Sequence, residues 1–239
     1  MAGQIYSKYD MDILGAEQST SEGIVSGFTI RCGREDVGDS ETILADCGSL
    51  SFDLPSVAQQ ISVVSDNIGD TSVISIDGLD GDGVEMSELV VLNGTTPVLT
   101  TSLFYRIFRC TVASGDINIG DITFTFDSVN SFCIAPGIGI TRLPTYTVPK
   151  GFRAFVKKIS GSVGKGKDTT INFKFSTVGV NGFVTPFSLE LFESAISDEF
   201  KPNISFGEGT DFLVTAKSSQ GDTTVFAGID FLLISEEVL

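Results

Sequence analysis

The chain has 239 residues, of which 41% are hydrophobic and 19% are charged, and its formal net charge is −16. This apolar content excludes a disordered chain, and the length suits two β-domains of roughly 100 residues each. No run of the sequence approaches the roughly 18 apolar residues of a membrane-spanning helix. The chain contains no histidine, which excludes Ser-His-Asp and Cys-His catalysis and imidazole metal ligands.

Residues 1–39 are predicted to form an N-terminal arm and a first strand. The opening MAGQIYSKYDMDILG carries Ile5, Tyr6, Tyr9 and Ile13 before a polar EQSTSEG linker. An apolar stretch of this kind needs a surface to cover it. Our hypothesis is that residues 1–20 pack on another chain through these side chains, which are therefore predicted interface residues. Packing on the arm's own domain is the alternative. The opening lacks the basic and apolar regions of a signal peptide, so we expect synthesis in the cytoplasm.

Period-two alternation of apolar and polar residues dominates the rest of the chain. It runs through residues 122–126, 171–175 and 212–216, while residues 86–92 form a more fully apolar strand. Such patterns, broken by Gly, Asp and Asn, are typical of antiparallel sheets. We predict an all-β protein with two antiparallel, jelly-roll-like β-sandwich domains.

Domain limits are predicted at residues 40–142 and 143–239. The boundary falls near residues 136–149, where three of the seven prolines occur together, because proline removes a backbone donor and suits a connector. The short helix candidates are residues 55–60, with Pro55 in the first turn, and part of the opening segment.

An acidic loop between residues 77 and 88 raises the question of calcium. Asp77, Asp80 and Asp82 supply several of the oxygens that calcium requires, so they are a weak calcium candidate. Their spacing does not fit an EF-hand, and Asp-Gly repeats between strands are ordinary turn chemistry. We therefore expect a turn and no bound metal or cofactor.

The segment from Gly161 to Lys167 reproduces the GxxxxGK pattern of a phosphate-binding loop. That motif needs Ser or Thr next, where this chain has Asp168, and it needs a helix after the loop. The following DTTINFKFSTV has the pattern of a strand. A β-hairpin loop is the better interpretation, and no small-molecule substrate is expected.

The four cysteines, Cys32, Cys47, Cys110 and Cys133, are widely spaced and form no CxxC pair. In a reducing compartment they are expected to be small buried hydrophobic residues. A metal site made of thiolates alone stays open as an alternative.

Charge is unevenly distributed along the chain. Residues 1–100 hold three basic and 17 acidic side chains, whereas residues 150–174 hold seven basic ones and a single acidic one. An acidic chain is a poor nucleic-acid binder, so no nucleic-acid partner is expected. The basic segment, through Lys157, Lys165 and Lys167, suits contact with an acidic surface of a neighbouring protein. A well-solvated hairpin is the alternative.

Residues 59–109 contain the order SVVS, a polar loop, a strand running into GLD, an acidic turn and SELVVLNGTTPV. This order resembles a family of virion structural proteins of tailed phages, especially those of marine and cyanobacterial hosts. The resemblance continues through GDITFTF and YTVPKGFRAFV and covers about residues 40–234. This chain departs from the family in a shorter loop at residues 66–71 and a reduced insertion after Ala113.

The resemblance implies a place in a virus particle and supplies no catalytic residues. We expect a non-enzymatic accessory structural protein, assembled in the host cytoplasm into the virion as head decoration, cement or a neck–tail component. Its partners would be other virion proteins and copies of itself, with no membrane. The alternative is a tail-fibre or receptor-binding module, which would expose clustered aromatic side chains.

Overall fold

The computed structural model of the chain describes residues 25–45, 47–49, 54–126, 131–164, 167–176, 182–219 and 222–238. Within these ranges every regular element is a strand except one 3-10 helix, η1 (Glu236–Val238). In chain order the strands are β1 (Val25–Val37), β2 (Thr42–Ile43), β3 (Gly48–Ser49), β4 (Ser62–Ser65), β5 (Val73–Leu79), β6 (Glu85–Val91), β7 (Val98–Leu99), β8 (Arg106–Ser114), β9 (Ile122–Thr125), β10 (Ser131–Ile134), β11 (Thr145–Thr147), β12 (Phe152–Val163), β13 (Asp168–Ser176), β14 (Val184–Phe192), β15 (Ala195–Phe206), β16 (Asp211–Ser218) and β17 (Thr223–Ser235). No helix in the described ranges has the length and apolarity needed to cross a bilayer.

The strands form four antiparallel sheets around two large hydrophobic cores, which confirms the predicted all-β sandwich class. Sheets β3-β10-β9-β4-β7 and β6-β5-β8 enclose one core, and we call this unit the first sandwich. Sheets β1-β17-β12-β15 and β11-β16-β13-β14 enclose the other, which we call the second sandwich. All the pairings between these strands are antiparallel.

Strands from both ends of the chain build the second sandwich. β1 pairs with β17 from Val25 opposite Ile234 to Val37 opposite Thr223. β2 pairs with β16, although it lies in the segment 40–142 that we assigned to the first domain. The chain therefore begins its described part in the second sandwich, builds the first, and returns.

Side-chain alternation follows the sequence pattern in most strands. Ile171 and Phe173 are buried in the second core, as are Ile122 and Phe124 in the first. β6 departs from its apolar sequence pattern, because only one face of the sheet meets the core and the other face is exposed whatever residues it carries. Leu89, in this apparently fully apolar strand, is exposed.

The predicted helix at residues 55–60 is wrong. The structure has an irregular segment there, in which Gln59 forms an isolated bridge with Phe104. Two backbone hydrogen bonds of 2.9 Å join these residues, so the N–H and C=O groups of Gln59 are paired with Phe104 instead of with a helical turn.

Candidate protein-interaction surface

The predicted contact residues of the arm, Ile5, Tyr6, Tyr9 and Ile13, lie outside the described residues. Their assignment to an interface therefore stays a prediction.

The basic segment is partly neutralised within the chain. Lys157 is half-buried in β12 and Lys167 is half-buried before β13, while Lys165 lies outside the described residues. Of the other cations, Lys174 binds Glu41 at 2.8 Å and Arg153 binds Glu236 at 3.2 Å. The loop is followed by strand β13 and not by a helix, as the hairpin interpretation requires.

Two of the three weak calcium candidates, Asp77 and Asp80, have carboxylates that are held in other interactions. The Asp80 carboxylate accepts hydrogen bonds from the backbone N–H groups of Asp82 and Val84, both at 2.9 Å. Gly83 follows with a φ of 79°, so the loop has the turn chemistry that the sequence predicts. Asp77 forms an ion pair with Arg109 at 3.2 Å.

The prediction of four unlinked buried cysteines is right for Cys32 and Cys110 and wrong for the other two. Cys47 and Cys133 form a disulfide, with their Cα atoms 5.6 Å apart. The residues are 86 positions apart, so their proximity depends on the fold and leaves no local trace in the sequence. The disulfide connects β10 to the segment that precedes β3.

These cysteines and Asp121 also form a cluster of ligating atoms. Among the described residues, the group close enough to hold a metal ion is Cys47, Cys133 and Asp121, whose ligand atoms lie within 4.8 Å of one another. The disulfide removes both thiolates from that set, because only a thiolate binds a metal strongly.

Five exposed isoleucines lie on three neighbouring loops of the first sandwich, and we call this set the isoleucine surface. Its members are Ile68, Ile117, Ile119, Ile138 and Ile140. Ile68 is 81% exposed and Ile119 is 61% exposed. A Cβ built on Gly69 would lie 3.5 Å from the side chain of Ile119, and one on Gly139 would lie 3.5 Å from that of Ile117. The three loops are therefore in contact at their tips.

Two buried polar side chains hold these loops together. Asp70 accepts hydrogen bonds from the backbone N–H groups of Ile119 at 2.8 Å and Gly120 at 3.0 Å, which joins the first loop to the second. Asn118 donates to the carbonyls of Gly120 at 2.7 Å and Ala135 at 2.9 Å, which joins the second loop to the third. The exposed isoleucines therefore lie on a fixed backbone.

The ionisation of Asp70 follows from its contacts. Burial alone would raise the pKa of this carboxyl group. The hydrogen bonds from Ser65, Ile119 and Gly120 outweigh burial and hold the pKa below its ordinary value. Asp70 is therefore ionised at neutral pH, and the loop contacts are charge-assisted.

Backbone geometry adds a further constraint on the first loop. Gly94 has a φ of 54°, and a Cβ at this position would lie 2.7 Å from the carbonyl oxygen of Ile68. Only glycine allows this close approach. The loop that carries Ile68 is consequently packed against the turn after β6.

Sequence reasoning did not find the isoleucine surface. The sequence did contain a signal. The shortened loop at residues 66–71 contains Ile68, and the reduced insertion after Ala113 is followed by Ile117 and Ile119. We interpreted both departures as simple loop trimming. Their shared location appears only when the fold brings the loops together.

A cleft of about 330 Å³ lies between the two sandwiches. It is lined by Phe28, Met86 and Phe108 on its apolar side and by Asp77 and Arg109 on its polar side. Because Asp77 and Arg109 form an ion pair with each other, this carboxylate already has a strong partner. This ion pair joins β5 to β8 within the first sandwich.

No protein-family model and no curated protein matches the chain. Solved structures similar to it include the Yersinia pseudotuberculosis-derived mitogen, with 15% identity, 36% of this chain and 81% of that chain covered, and a TM-score of 0.23. The structure of infectious bursal disease virus, Gt strain, is 11% identical. The match covers 92% of this chain and 75% of that chain, with a TM-score of 0.23. The PBSX exported protein XepA is 9% identical. The match covers 90% of this chain and 88% of that chain, with a TM-score of 0.20. Such low TM-scores carry no argument about this chain.

Proposed function

We propose that this chain is a non-catalytic structural protein of a tailed-phage particle that acts through protein–protein contacts. Head decoration, or cement, and the neck–tail region are the places in the particle that we propose for it. The observation that supports action through protein–protein contacts is the isoleucine surface, since a group of exposed apolar side chains on neighbouring loops marks an interaction site.

The physical properties of this surface favour a protein partner. Each Å² of apolar surface that a partner removes from water contributes about 25 cal/mol of favourable free energy to binding. The loops are already ordered by Asp70 and Asn118, so binding does not have to order them. The exposed large side chains of the surface are aliphatic, whereas a glycan platform would use aromatic faces. This composition favours a structural role over the receptor-binding alternative.

The charge around the isoleucines indicates the character of the partner. Asp66 and Asp116 are exposed on the same loops as Ile68 and Ile117. A complementary surface would be apolar with a basic rim. The charges of that rim would set the orientation of the partner and the rate of encounter more than the affinity. We propose that the partner is another virion protein or a second copy of this chain.

The proposal can be tested by replacing Ile68 and Ile119 together with aspartate in the phage genome that encodes the chain. Mass spectrometry of purified particles should find the wild-type protein and a strongly reduced amount of the variant. Val57→Asp is the matched control, because Val57 is exposed outside the isoleucine surface, and it should be incorporated normally. A wild-type protein absent from particles contradicts the proposed function, and normal incorporation of the double variant contradicts the role of the surface.

A further inference from the structure

The two disulfide-bonded cysteines of the first sandwich lie on one face of a sheet. β10 pairs with β3 through Phe132 opposite Gly48, and the same register places Cys133 opposite Cys47. Their Cα atoms are 5.6 Å apart, near the spacing of about 5.5 Å between directly opposite residues of an antiparallel pair. The two sulfur atoms are therefore brought together by the strand pairing itself.

The strand on the other side of β10 brings a carboxylate to the same face. Thr123 of β9 is opposite Cys133, and Asp121 lies two residues before Thr123, on the same side of the sheet. The N–H of Asp121 donates to the Asp66 carboxylate at 2.9 Å, and the carbonyl of Asp121 accepts from the N–H of Asp66 at 3.1 Å. Oδ1 of Asp121 lies 3.9 Å from Sγ of Cys133. Three adjacent chain segments thus direct two sulfur atoms and one carboxylate to a common point.

Once the cysteines are reduced, this group has the composition and the spacing of a zinc site. Zinc binds thiolate sulfur at about 2.3 Å and carboxylate oxygen at about 2.0–2.2 Å in tetrahedral geometry, so its ligand atoms lie about 3.5–3.8 Å from one another. The ligand atoms of Cys47, Cys133 and Asp121 lie within 4.8 Å of one another, a spread that side-chain rotation can adjust. Two thiolates and a carboxylate this close repel one another, and a divalent cation between them removes that repulsion.

The burial of the three side chains also suits a bound ion. Cys133 is buried, whereas Cys47 and Asp121 are half-buried. The group is therefore partly shielded from water, while an ion can still reach it from solvent. Thiolates are soft ligands, which select zinc over the calcium and magnesium that sites made of oxygen atoms bind. Three protein ligands leave one tetrahedral position open to a water molecule.

We propose that the protein with reduced cysteines binds one Zn²⁺ ion through Cys47, Cys133 and Asp121, with water as the fourth ligand. Reduction of the disulfide by a phosphine and water yields two thiols and a phosphine oxide, and zinc then displaces the two thiol protons. The ion joins β10 to the segment before β3, as the disulfide does in the oxidised protein. This inference is independent of the proposed function, because it concerns two states of one chain.

Titration of the full-length protein with Co²⁺, a coloured substitute for zinc, tests the proposal. After reduction with a phosphine, we expect one cobalt ion per chain, with the visible absorption of tetrahedral cobalt and a sulfur-to-cobalt charge-transfer band. Zinc should displace the cobalt and abolish both signals. The oxidised protein should give neither signal, because its sulfur atoms are bonded to each other. Absence of the signals from the reduced protein, or equal signals from the oxidised protein, overturns the proposal.

Variants assign the ligands. Asp121→Asn should weaken cobalt binding by at least about tenfold, since even the loss of a group that only supports a ligand costs this much. Asp116→Asn is the matched control, because Asp116 is exposed on the same loop, and it should bind cobalt as the wild type does. Unchanged affinity in Asp121→Asn overturns the carboxylate as a ligand.

The double variant Cys47→Ser with Cys133→Ser retains the two free cysteines, Cys32 and Cys110. It should bind no cobalt, and binding that persists would place the metal elsewhere and overturn the proposal. Circular dichroism of the reduced wild type, recorded during heating, gives a second measurement. Zinc should raise the unfolding temperature of the reduced protein, or restore its fold if reduction alone unfolds it, because binding to the folded state stabilises that state. No effect of zinc on the reduced protein contradicts the site.

Discussion

Arg106 and Asp211 form an ion pair with two bonds of 3.0 Å, which connects β8 of the first sandwich to β16 of the second. Both side chains are largely buried. Arg106 also donates to the carbonyl of Pro55 at 2.6 Å, and Asp211 accepts a hydrogen bond from Thr147. The two sandwiches are therefore joined by a charge pair whose remaining hydrogen-bonding groups are satisfied.

Replacing Arg106 with alanine should lower the free energy of unfolding by about 3–5 kcal/mol, because it leaves the buried Asp211 carboxylate without its cation. Urea denaturation followed by circular dichroism measures this loss. Arg106→Met with Asp211→Leu should be less destabilising than Arg106→Ala alone, since it removes both charges. Equal losses in the two proteins would contradict the unpaired Asp211 carboxylate as the cause of the destabilisation.

Replacing Asp70 with asparagine should destabilise the protein by about 1–3 kcal/mol at neutral pH, because an amide cannot accept the same set of hydrogen bonds. The pKa of Asp70 is lowered on folding from 3.8, so its stabilisation is present above that pH and disappears as pH falls through the folded pKa. The difference in free energy of unfolding between Asp70→Asn and the wild type should therefore be constant at pH 5–7 and shrink below about pH 4.

Thermal unfolding across that pH range is the measurement. Asp116→Asn is the control, because Asp116 is exposed on the neighbouring loop, and it should have little effect at any pH. A difference for Asp70→Asn that stays constant down to pH 2 would contradict the role of its charge.

Replacing Cys47 with serine should lower stability under oxidising conditions by about 2–5 kcal/mol, since the disulfide closes a long loop and restricts the unfolded chain. Differential scanning calorimetry with and without reductant measures the effect. Reductant should lower the unfolding temperature of the wild type and leave that of Cys47→Ser unchanged. Cys32→Ser is not a suitable control, because Cys32 is buried and its replacement would itself destabilise the core. The disulfide is instead established directly by mass spectrometry of the intact protein.

Magnesium ATP should show no saturable binding in isothermal titration calorimetry. The GxxxxGK segment leads into strand β13, so no helix N-terminus is available to bind the phosphates. Saturable binding that disappears in Lys167→Ala would establish a phosphate site and reject the hairpin interpretation.

The sequence alone determined the features that depend on neighbouring residues. Alternation at residues 122–126 and 171–175 predicted strands with Phe124 and Phe173 in the core, because side chains on a strand point to opposite faces in turn. The turn at Asp80 was also predicted locally, because an Asp carboxylate accepts hydrogen bonds from nearby backbone N–H groups and Gly adopts a positive φ. These properties are encoded within a few residues, so they can be read without a fold.

Only the tertiary structure decided which distant residues meet. It paired Cys47 with Cys133, and it placed β1 beside β17, with Thr29 donating to Asp230 across a separation of 201 residues. It also brought three loops together to form the isoleucine surface. Such contacts depend on how strands are ordered in the sheets, and strand order is set by the free energy of packing the whole chain rather than by any local pattern.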